Sequence, residues 1–215
     1  RRQRQMCIRD RPRLGITTTF VDPDNPKNFT DAVQENTRLF FAESLGNPKL
    51  DVLDLKGISR EAKAVKVPFM VDSTLATPAL QNPIAHGVNI VIHSLTKYAN
   101  GNGSTMGGVI VDAGNFDWSS GKFPEFTTPS EGYHGLVLHA VLGPAAYIAK
   151  VRIEGLRDLG AAISPFNAFQ IIQGLETLEI RMKKHSENAL ALAEWLEAHE
   201  DVAWVNYPGL KSSKY

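Results

Sequence analysis

The stretch VPFMVDSTLATPALQNPIAHGVNIVIHSLTK, residues 67–97, decides the fold. It contains two short apolar runs, at 68–72 and 87–93, and each run is followed by polar residues. Apolar runs that alternate with helical stretches are typical of βα units, which build a largely parallel sheet. The stretch therefore predicts two strands of an α/β domain.

The same pattern continues on both sides of this stretch. Residues 39–42 and 108–112 predict two more strands, and residues 52–65 predict a helix. Polar clusters follow the first three strands, at 43–44, 72–74 and 94–97. In open α/β sheets, ligands bind beyond the carboxyl ends of the strands. We therefore expect these clusters to line one pocket.

The second half of the chain is predicted to be mainly helical. Residues 113–134, rich in Gly, Pro, Ser and aromatic residues, predict a long irregular excursion over the surface. Helices are expected at 136–159, and Ser164 followed by Pro165 is a helix-start signal. The pattern then continues to about residue 199. Gly174 and the charged residues 181–185 predict a bend or break, and residues 202–205 predict the first strand of a second domain.

Composition excludes several classes of function. The 215 residues are 43% apolar and 21% charged, as in soluble globular proteins. Lys plus Arg equals Asp plus Glu at 23 each, so no charge surplus favours nucleic acid or an anionic membrane as partner. No segment approaches the roughly 18 consecutive apolar residues of a membrane span. The six histidines lack metal-ligand spacing, so no metal site is predicted.

The first ten residues, RRQRQMCIRD, do not fit the pattern that follows. They resemble translated sequencing-adapter DNA, and we expect residues 1–10 to be non-native; a disordered basic tail is the alternative. The only cysteine, Cys7, lies in this segment, so the remaining residues cannot form a disulfide or a cysteine-bound zinc site. This suits a reducing cytosol.

Lys97 is the residue around which we expect chemistry. A lysine whose pKa is lowered by desolvation or nearby cations can form a Schiff base with an aldehyde. Ser94 and Thr96 are spaced i, i+2, which would place both hydroxyls on one side of an extended segment, facing a phosphate. Asp72 follows an apolar strand and would need a cation such as a protonated pyridine nitrogen. This set of groups matches what pyridoxal 5'-phosphate (PLP) requires.

Two other interpretations compete with a PLP site. In the first, Lys97 is a solvated cation, Ser94 and Thr96 are turn residues and Asp72 caps a helix; spacing alone does not exclude this. In the second, residues 101–106 form a dinucleotide-binding loop. We reject it because Met106 stands where a third glycine is needed and because the glycines precede a strand instead of following one.

Longer motifs resemble one family of PLP enzymes. HSLTKYANGNGSTMGG (93–108) resembles the cofactor-lysine segment of the Cys/Met-metabolism family, and VPFMVDSTLATPALQNPIAHG (67–87) resembles its pyridine-nitrogen aspartate segment. FAESLGNPKLDVLDL, FPEFTTPSEGYHGL and SPFNAFQIIQGLETLEIRMKKHSENALALAEWL resemble its O-acetylhomoserine sulfhydrylase branch. The resemblance runs from about residue 14 to 209.

The resemblance implies the PLP-dependent transferase fold type I, which is aspartate-aminotransferase-like. This is a three-layer α/β/α architecture with a mostly parallel sheet, followed by the start of a small C-terminal α/β domain. Residues 11–185 would form part of the PLP-binding large domain, and residues 186–215 would end a connector helix and begin a truncated C-terminal domain. The family further implies a cytoplasmic homotetramer, a dimer of dimers, in the full-length parent.

The resemblance also implies roles and a reaction. Lys97 would be the Schiff-base lysine and proton shuttle, Asp72 the partner of the ring nitrogen, and Ser94 and Thr96 phosphate donors. Asn47 would lie near the phenolic oxygen of the cofactor or the substrate carboxylate. The implied reaction is γ-replacement on O-acetyl-L-homoserine by sulfide or a thiol, giving homocysteine or methionine and acetate. The leaving group could also be an O-succinyl or O-phospho ester.

Two alternative functions remain open. One is a cystathionine or methionine γ-lyase of the same family, and the other is a non-catalytic interaction protein. The chain departs from the family where Asn102 replaces a frequent His and Ser73 replaces a frequent Asn. Site residues that the family carries before and after this stretch have no place in it, so we expect the 215-residue chain itself to be inactive.

Overall fold

The computed structural model describes residues 11–215; the adapter-like segment with Cys7 lies outside the described part. The strands are β1 (Phe40–Glu43), β2 (Phe69–Asp72), β3 (Ile90–Ser94) and β4 (Gly108–Asp112). The α-helices are α1 (Lys27–Asp31), α2 (Leu55–Ala64), α3 (Thr77–Leu80), α4 (Pro124–Thr127), α5 (Leu138–Leu142), α6 (Ala146–Lys150), α7 (Pro165–Glu176) and α8 (Leu178–Glu197). Short 3-10 helices span Arg11–Leu14, Pro83–His86, Glu131–Tyr133 and Gly143–Ala145, and a π-helix spans Val151–Asp158.

The four strands form one sheet in the order β1-β2-β3-β4. The pairs β1–β2 and β2–β3 are parallel, and β3–β4 is antiparallel. Each strand lies at a predicted position, so the prediction of a mostly parallel α/β sheet is confirmed. The carboxyl ends of β1, β2 and β3 share one edge, where the polar clusters meet.

Helices and loops cover both faces of the sheet. Successive residues of a strand point to opposite faces, and Val91 and Ile90 accordingly lie in different core clusters. The first cluster packs α1 and α2 on one face and contains Phe29, Phe40, Leu55, Ile58, Ala62, Val67, Phe69, Val71, Val88 and Val91. The second covers the other face and contains Ile90, Trp118, Phe123, Phe126, Leu138 and Ala146. The described chain therefore has the predicted three layers.

The segment 113–134 differs from its prediction. It is irregular, as expected, but it does not merely cross the surface, because Trp118, Phe123 and Phe126 are buried in the second cluster. The indole of Trp118 stacks on Tyr147 with ring centroids 5.0 Å apart and an interplanar angle of 7°. Parallel sheets need cover on both faces, and this segment supplies part of it.

The predicted break in the long helical pattern is confirmed. Helix α7 begins as predicted, since the Ser164 hydroxyl accepts a hydrogen bond from the Asn167 amide at 3.1 Å. The break falls at Thr177, three residues after Gly174. The break therefore lies between Gly174 and the charged residues 181–185. They lie inside α8, where exposed charges are tolerated and Lys184 pairs with Glu187 at 3.3 Å.

The predicted strand at 202–205 is absent from the structure. These residues follow α8 without ladder hydrogen bonds, and Trp204 is 79% exposed. A strand needs a partner, and none of the described strands lies beside this segment. The predicted division after residue 185 falls within α8 and stays a prediction. Among residues 11–215, no helix has the length and apolar character needed to cross a bilayer.

Candidate active site

The last residues of β1, β2 and β3, together with the residues that follow them, form one edge, which we call the site edge (residues 43–47, 72–74 and 94–97). In the strand register, Glu43 lies beside Asp72 and Asp72 beside Ile92. Ser94 is two residues beyond Ile92, so it points to the same face as Asp72. The structure therefore brings Asp72 and Ser94 to the same edge and face of the sheet.

Asp72 is half-buried and anchored within its own turn. Its Oδ1 accepts a hydrogen bond from the Thr74 amide at 2.9 Å. The Thr74 hydroxyl in turn accepts a hydrogen bond from the Ser94 amide at 2.8 Å, which ties the end of β2 to the end of β3. These contacts hold the Asp72 carboxylate at a defined place on the site edge.

His93 is a residue of this site that the sequence pattern did not single out. Its Nδ1 lies 3.1 Å from the Ser73 carbonyl oxygen. Burial lowers the pKa of the His93 imidazole, while the contact with Ser73 and the negative charge of Asp72 oppose that shift. His93 directly precedes Ser94 in β3, and its contact with Ser73 also places it beside the candidate site.

The two hydroxyls of the motif are placed differently from the prediction. Strand β3 ends at Ser94 and residues 95–100 form turns, so Ser94 and Thr96 do not share one extended segment. The Thr96 hydroxyl donates to the Gly107 carbonyl at 3.3 Å and accepts from the Gly107 amide at 3.2 Å. The extended-segment prediction is wrong, because the chain must turn here to return as β4.

Lys97 lies in this turn, and its side chain is exposed. Its amide donates to the Ser94 carbonyl at 3.3 Å, and its carbonyl accepts from the Gly101 amide at 2.9 Å. The backbone of Lys97 is thus held on both sides while the amine remains accessible. Asn47 is also exposed, and its amide donates to Glu43 Oε2 at 2.8 Å, which holds the loop after β1 at the site edge.

The two positions that depart from the family pattern differ in environment. Ser73 is buried, and its hydroxyl lies 3.0 Å from the Ser44 hydroxyl. Ser73 is next to Asp72 in the chain, so its side chain points to the opposite face of the sheet. It therefore does not lie between the side chains of Asp72 and Ser94. Asn102 is exposed in the loop before β4.

A cavity of about 650 Å³ lies elsewhere, toward the amino ends of the strands. Its lining includes the basic residues Lys56, Arg60, Lys63, Lys66 and His86. No member of the site edge lines this cavity. This lining also contains the Asp117 carboxylate and the hydroxyls of Ser59 and Ser120. The position in the sheet favours the site edge, because ligands of open α/β sheets bind beyond the carboxyl ends of the strands.

Comparison with known proteins identifies the family. The family model described as "Cys/Met metabolism PLP-dependent enzyme" matches residues 3–215. The chain belongs to this family. It is 52% identical over 211 residues to an O-acetyl-L-homoserine sulfhydrylase of Leptospira meyeri, covering 94% of this chain and 48% of that protein. It is 50% identical over 204 residues to a homocysteine synthase of Schizosaccharomyces pombe, covering 94% and 48%.

Solved structures agree with the fold. A Campylobacter jejuni protein solved with N'-pyridoxyl-lysine-5'-monophosphate has a TM-score of 0.93 and 37% identity, covering 99% of this chain and 53% of that one. O-acetylhomoserine sulfhydrylase of Wolinella succinogenes has a TM-score of 0.84 and 34% identity, covering 99% and 57%. The expected fold type I is confirmed. The chain spans about half the length of the curated relatives it matches.

The residues of the site edge are chemically suited to the family's cofactor, PLP. Lys97 offers an accessible amine for an aldehyde, and Asp72 offers a carboxylate for a protonated ring nitrogen. The Ser94 hydroxyl makes no hydrogen bond within residues 11–215, so it is available to a phosphate oxygen. Thr96 could donate only by leaving the Gly107 carbonyl.

Proposed function

We propose that the whole protein is a PLP-dependent enzyme that performs γ-replacement on O-acetyl-L-homoserine. Sulfide or a thiol is the nucleophile, and the products are homocysteine or methionine, and acetate. One observation carries this proposal: Lys97, Asp72 and Ser94 lie on one sheet edge in a chain about half identical to a named sulfhydrylase and a named homocysteine synthase. Those names favour replacement over γ-lyase chemistry.

Lys97 is proposed to hold the cofactor covalently and to move protons. When bound, PLP supplies an electron sink for the substrate carbons. With the cofactor and substrate bound, the Lys97 amine would take the proton from the substrate Cα and return a proton later in the cycle. Its held backbone and accessible amine suit this exchange.

The other residues of the site edge are proposed to bind and orient. The Asp72 carboxylate accepts a hydrogen bond from the ring nitrogen and keeps that nitrogen protonated. Ser94 donates to a phosphate oxygen, with Thr96 as a second donor after its hydroxyl rotates away from Gly107. The Asn47 amide group binds the phenolic oxygen of the cofactor or the substrate carboxylate.

The family resemblance also supports a proposal for assembly and location. We expect the whole protein to form a homotetramer, built as a dimer of dimers, in the cytoplasm. Its substrates are a small amino acid and sulfide or a thiol. Sedimentation of the full-length protein tests the assembly: a stable monomer that is fully active would contradict it.

Lys97→Ala in the full-length protein tests the proposed function. PLP is added, the bond between the cofactor and the lysine is trapped with borohydride, and the mass of the peptide that contains residue 97 is measured by mass spectrometry. The parent should carry the cofactor at Lys97 and form homocysteine from O-acetyl-L-homoserine plus sulfide. The variant should lose the covalent bond and at least about 100-fold of the turnover.

Lys183→Ala is the matched control, because Lys183 is an exposed lysine of α8. It should keep both the bond and the rate. The replacement reaction would be contradicted if the full-length parent formed no homocysteine and released acetate at the same rate with and without sulfide. Cofactor attachment in Lys97→Ala equal to that of the parent would contradict the role of Lys97.

A further inference from the structure

The segment between β3 and β4, residues 95–107, is held as a closed loop, which we call the lysine loop. The Leu95 amide donates to the Gly107 carbonyl at 2.9 Å, and the Asn100 amide donates to the Leu95 carbonyl at 3.0 Å. Lys97 lies near the start of this loop. Its position therefore depends on what the loop packs against.

The lysine loop packs directly on helix α7 through glycines. A Cβ at Gly174 would lie 2.2 Å from the Asn100 carbonyl oxygen and 2.7 Å from that of Ala99. A Cβ at Gly107 would lie 2.5 Å from Ile171 Cδ1. Real side chains do not approach this closely, so the α7 backbone at Gly174 meets the loop backbone directly, and at Gly107 the Ile171 side chain lies against the loop backbone. The loop and the α7–α8 break are one packed unit.

Arg181 of α8 joins the two sides of this contact. Its Nη1 donates to the Tyr98 carbonyl at 2.8 Å, and its Nη2 donates to the Gly174 carbonyl at 2.7 Å and the Ala99 carbonyl at 3.4 Å. Its Nε donates to the Thr177 hydroxyl at 3.1 Å. A guanidinium has five N–H donors in a rigid fork. One side chain thus satisfies a carbonyl near the end of α7 and the two carbonyls that follow Lys97.

The same guanidinium shapes the loop itself. Gly101 has a positive φ of 78°, and a Cβ there would lie 2.6 Å from Arg181 Nη1. The Gly101 amide is the group that donates to the Lys97 carbonyl. The turn that carries Lys97 is therefore in van der Waals contact with Arg181 as well as hydrogen-bonded to it.

We propose that Arg181 is a positioning residue for Lys97. This rests on the proposed function, in which the Lys97 amine must reach the cofactor aldehyde and then the substrate Cα. Four of the guanidinium hydrogen bonds are committed to residues 98, 99, 174 and 177, so Arg181 acts through the lysine loop and does not bind the reactants. Reactive groups lose much of their rate when displaced by about 1 Å.

The test compares Arg181→Gln and Arg181→Lys with the parent in the full-length protein. The first readout is hydrogen exchange of the Gly101 amide without cofactor. The second is the rate at which added PLP becomes attached to Lys97, trapped with borohydride well below the unfolding temperature. We expect Arg181→Gln to speed exchange and slow attachment by about 10-fold, with kcat falling about 10- to 100-fold and KM little changed. Arg181→Lys should rescue part of each effect, since its ammonium keeps the charge and can donate to some of these carbonyls but lacks the planar fork of the guanidinium.

Arg152→Gln is the matched control, because Arg152 is an exposed arginine of the π-helix; it should behave as the parent. If Arg181→Gln does not fold, Thr177→Val replaces it. This change removes the acceptor of Arg181 Nε and the 3.4 Å hydrogen bond from the Thr177 hydroxyl to the Gly174 carbonyl but keeps the guanidinium, and about 2-fold slower attachment is expected. The proposal would be overturned if the folded Arg181→Gln variant attached PLP to Lys97 and exchanged the Gly101 amide at the rates of the parent, and only its unfolding midpoint were lower. A parent that never attaches PLP to Lys97 would instead overturn the proposed function, and this inference with it.

Discussion

At the scale of single residues, His93 makes the stability of the protein depend on pH. Its pKa is lowered from 6.5, first by burial, against the opposing influences of the Ser73 carbonyl and the Asp72 charge. In the unfolded chain the imidazole takes up a proton at a higher pH than in the folded protein. The folded state therefore loses stability as pH falls below the unfolded pKa, and the loss is complete below the lowered folded pKa.

His93→Gln removes this titration. Between about pH 7 and about pH 5, the free energy of unfolding of the parent should fall relative to that of the variant. Urea unfolding of the full-length protein across this range measures the difference. His134→Gln, at an exposed turn, is the control and should follow the parent. A free energy of unfolding of the parent that rises relative to that of His93→Gln as the pH falls from about 7 to about 5 would contradict the burial of the neutral imidazole.

Sequence reasoning located some of the site residues and not others, for physical reasons. Asp72, Ser94 and Lys97 follow apolar strands, so the strand pattern alone predicts that they meet at one edge. The position of Thr96 differs from the prediction because the chain turns after Ser94, so that Thr96 does not continue the extended strand. The role of Arg181 was not predicted because it contacts Tyr98, which lies 83 residues away in the sequence, and a local sequence pattern carries no information about such a contact.

At the scale of elements, Gly174 shows packing overriding helix propensity. Alanine is a better helix former than glycine by about 1 kcal/mol, so propensity alone predicts that Gly174→Ala stabilises α7. The added Cβ would instead meet backbone oxygens of the lysine loop, which have little room to shift. We expect a net destabilisation of roughly 1–3 kcal/mol.

Gly155→Ala is the matched control for Gly174→Ala. Gly155 is also helical, and the nearest atom to its added Cβ is Val151 Cγ1 at 4.0 Å. This change should be neutral or stabilising by up to about 1 kcal/mol. Equilibrium unfolding measures the free energy of unfolding of both variants and of the parent. If Gly174→Ala were as stable as Gly155→Ala, the lysine loop and α7 would separate more easily than their contacts indicate.

Trp118 tests whether the segment 113–134 belongs to the core. The side chain is 3% exposed, and its ring contacts the rings of four other aromatic residues, Phe116, Phe123, Phe126 and Tyr147. Trp118→Ala should lower the free energy of unfolding by about 3–5 kcal/mol. Trp204→Ala, at a residue 79% exposed, should change it by less than about 0.5 kcal/mol. Denaturant unfolding measures the loss in free energy of unfolding for each variant. A similar loss for Trp118→Ala and Trp204→Ala would contradict the burial of Trp118.

The elements that were predicted well are those that local patterns specify. Apolar runs bounded by polar residues predicted β1 to β4, and the Ser164–Pro165 signal predicted the start of α7. The burial of residues 113–134 and the absence of a strand at 202–205 depend on which surface lies opposite each segment. That information is tertiary, so it cannot be read from the segment itself.

At the scale of the whole molecule, the 215-residue chain should not turn over O-acetyl-L-homoserine on its own. Large apolar side chains on α7 are more than half exposed, namely Phe166, Phe169 and Ile172. The chain covers 48% of the length of its sulfhydrylase relative, and surface of this kind normally marks an interface. Homocysteine formation by the isolated chain and by the full-length protein, at equal concentration, checks this. Turnover by the isolated chain at the full-length rate would contradict it.

The outer edge of β4 has a consequence for handling the isolated chain at high concentration. Within residues 11–215, β4 is paired only with β3, and its residues Val109, Ile110 and Val111 are each more than a third exposed. Equal numbers of acidic and basic residues give a pI of about 7.2, so repulsion between molecules nearly vanishes in neutral buffer. An open apolar strand edge and zero net charge together favour fibrous precipitation. Buffers well above pH 7.2, where every molecule carries a negative charge, should keep the chain dispersed.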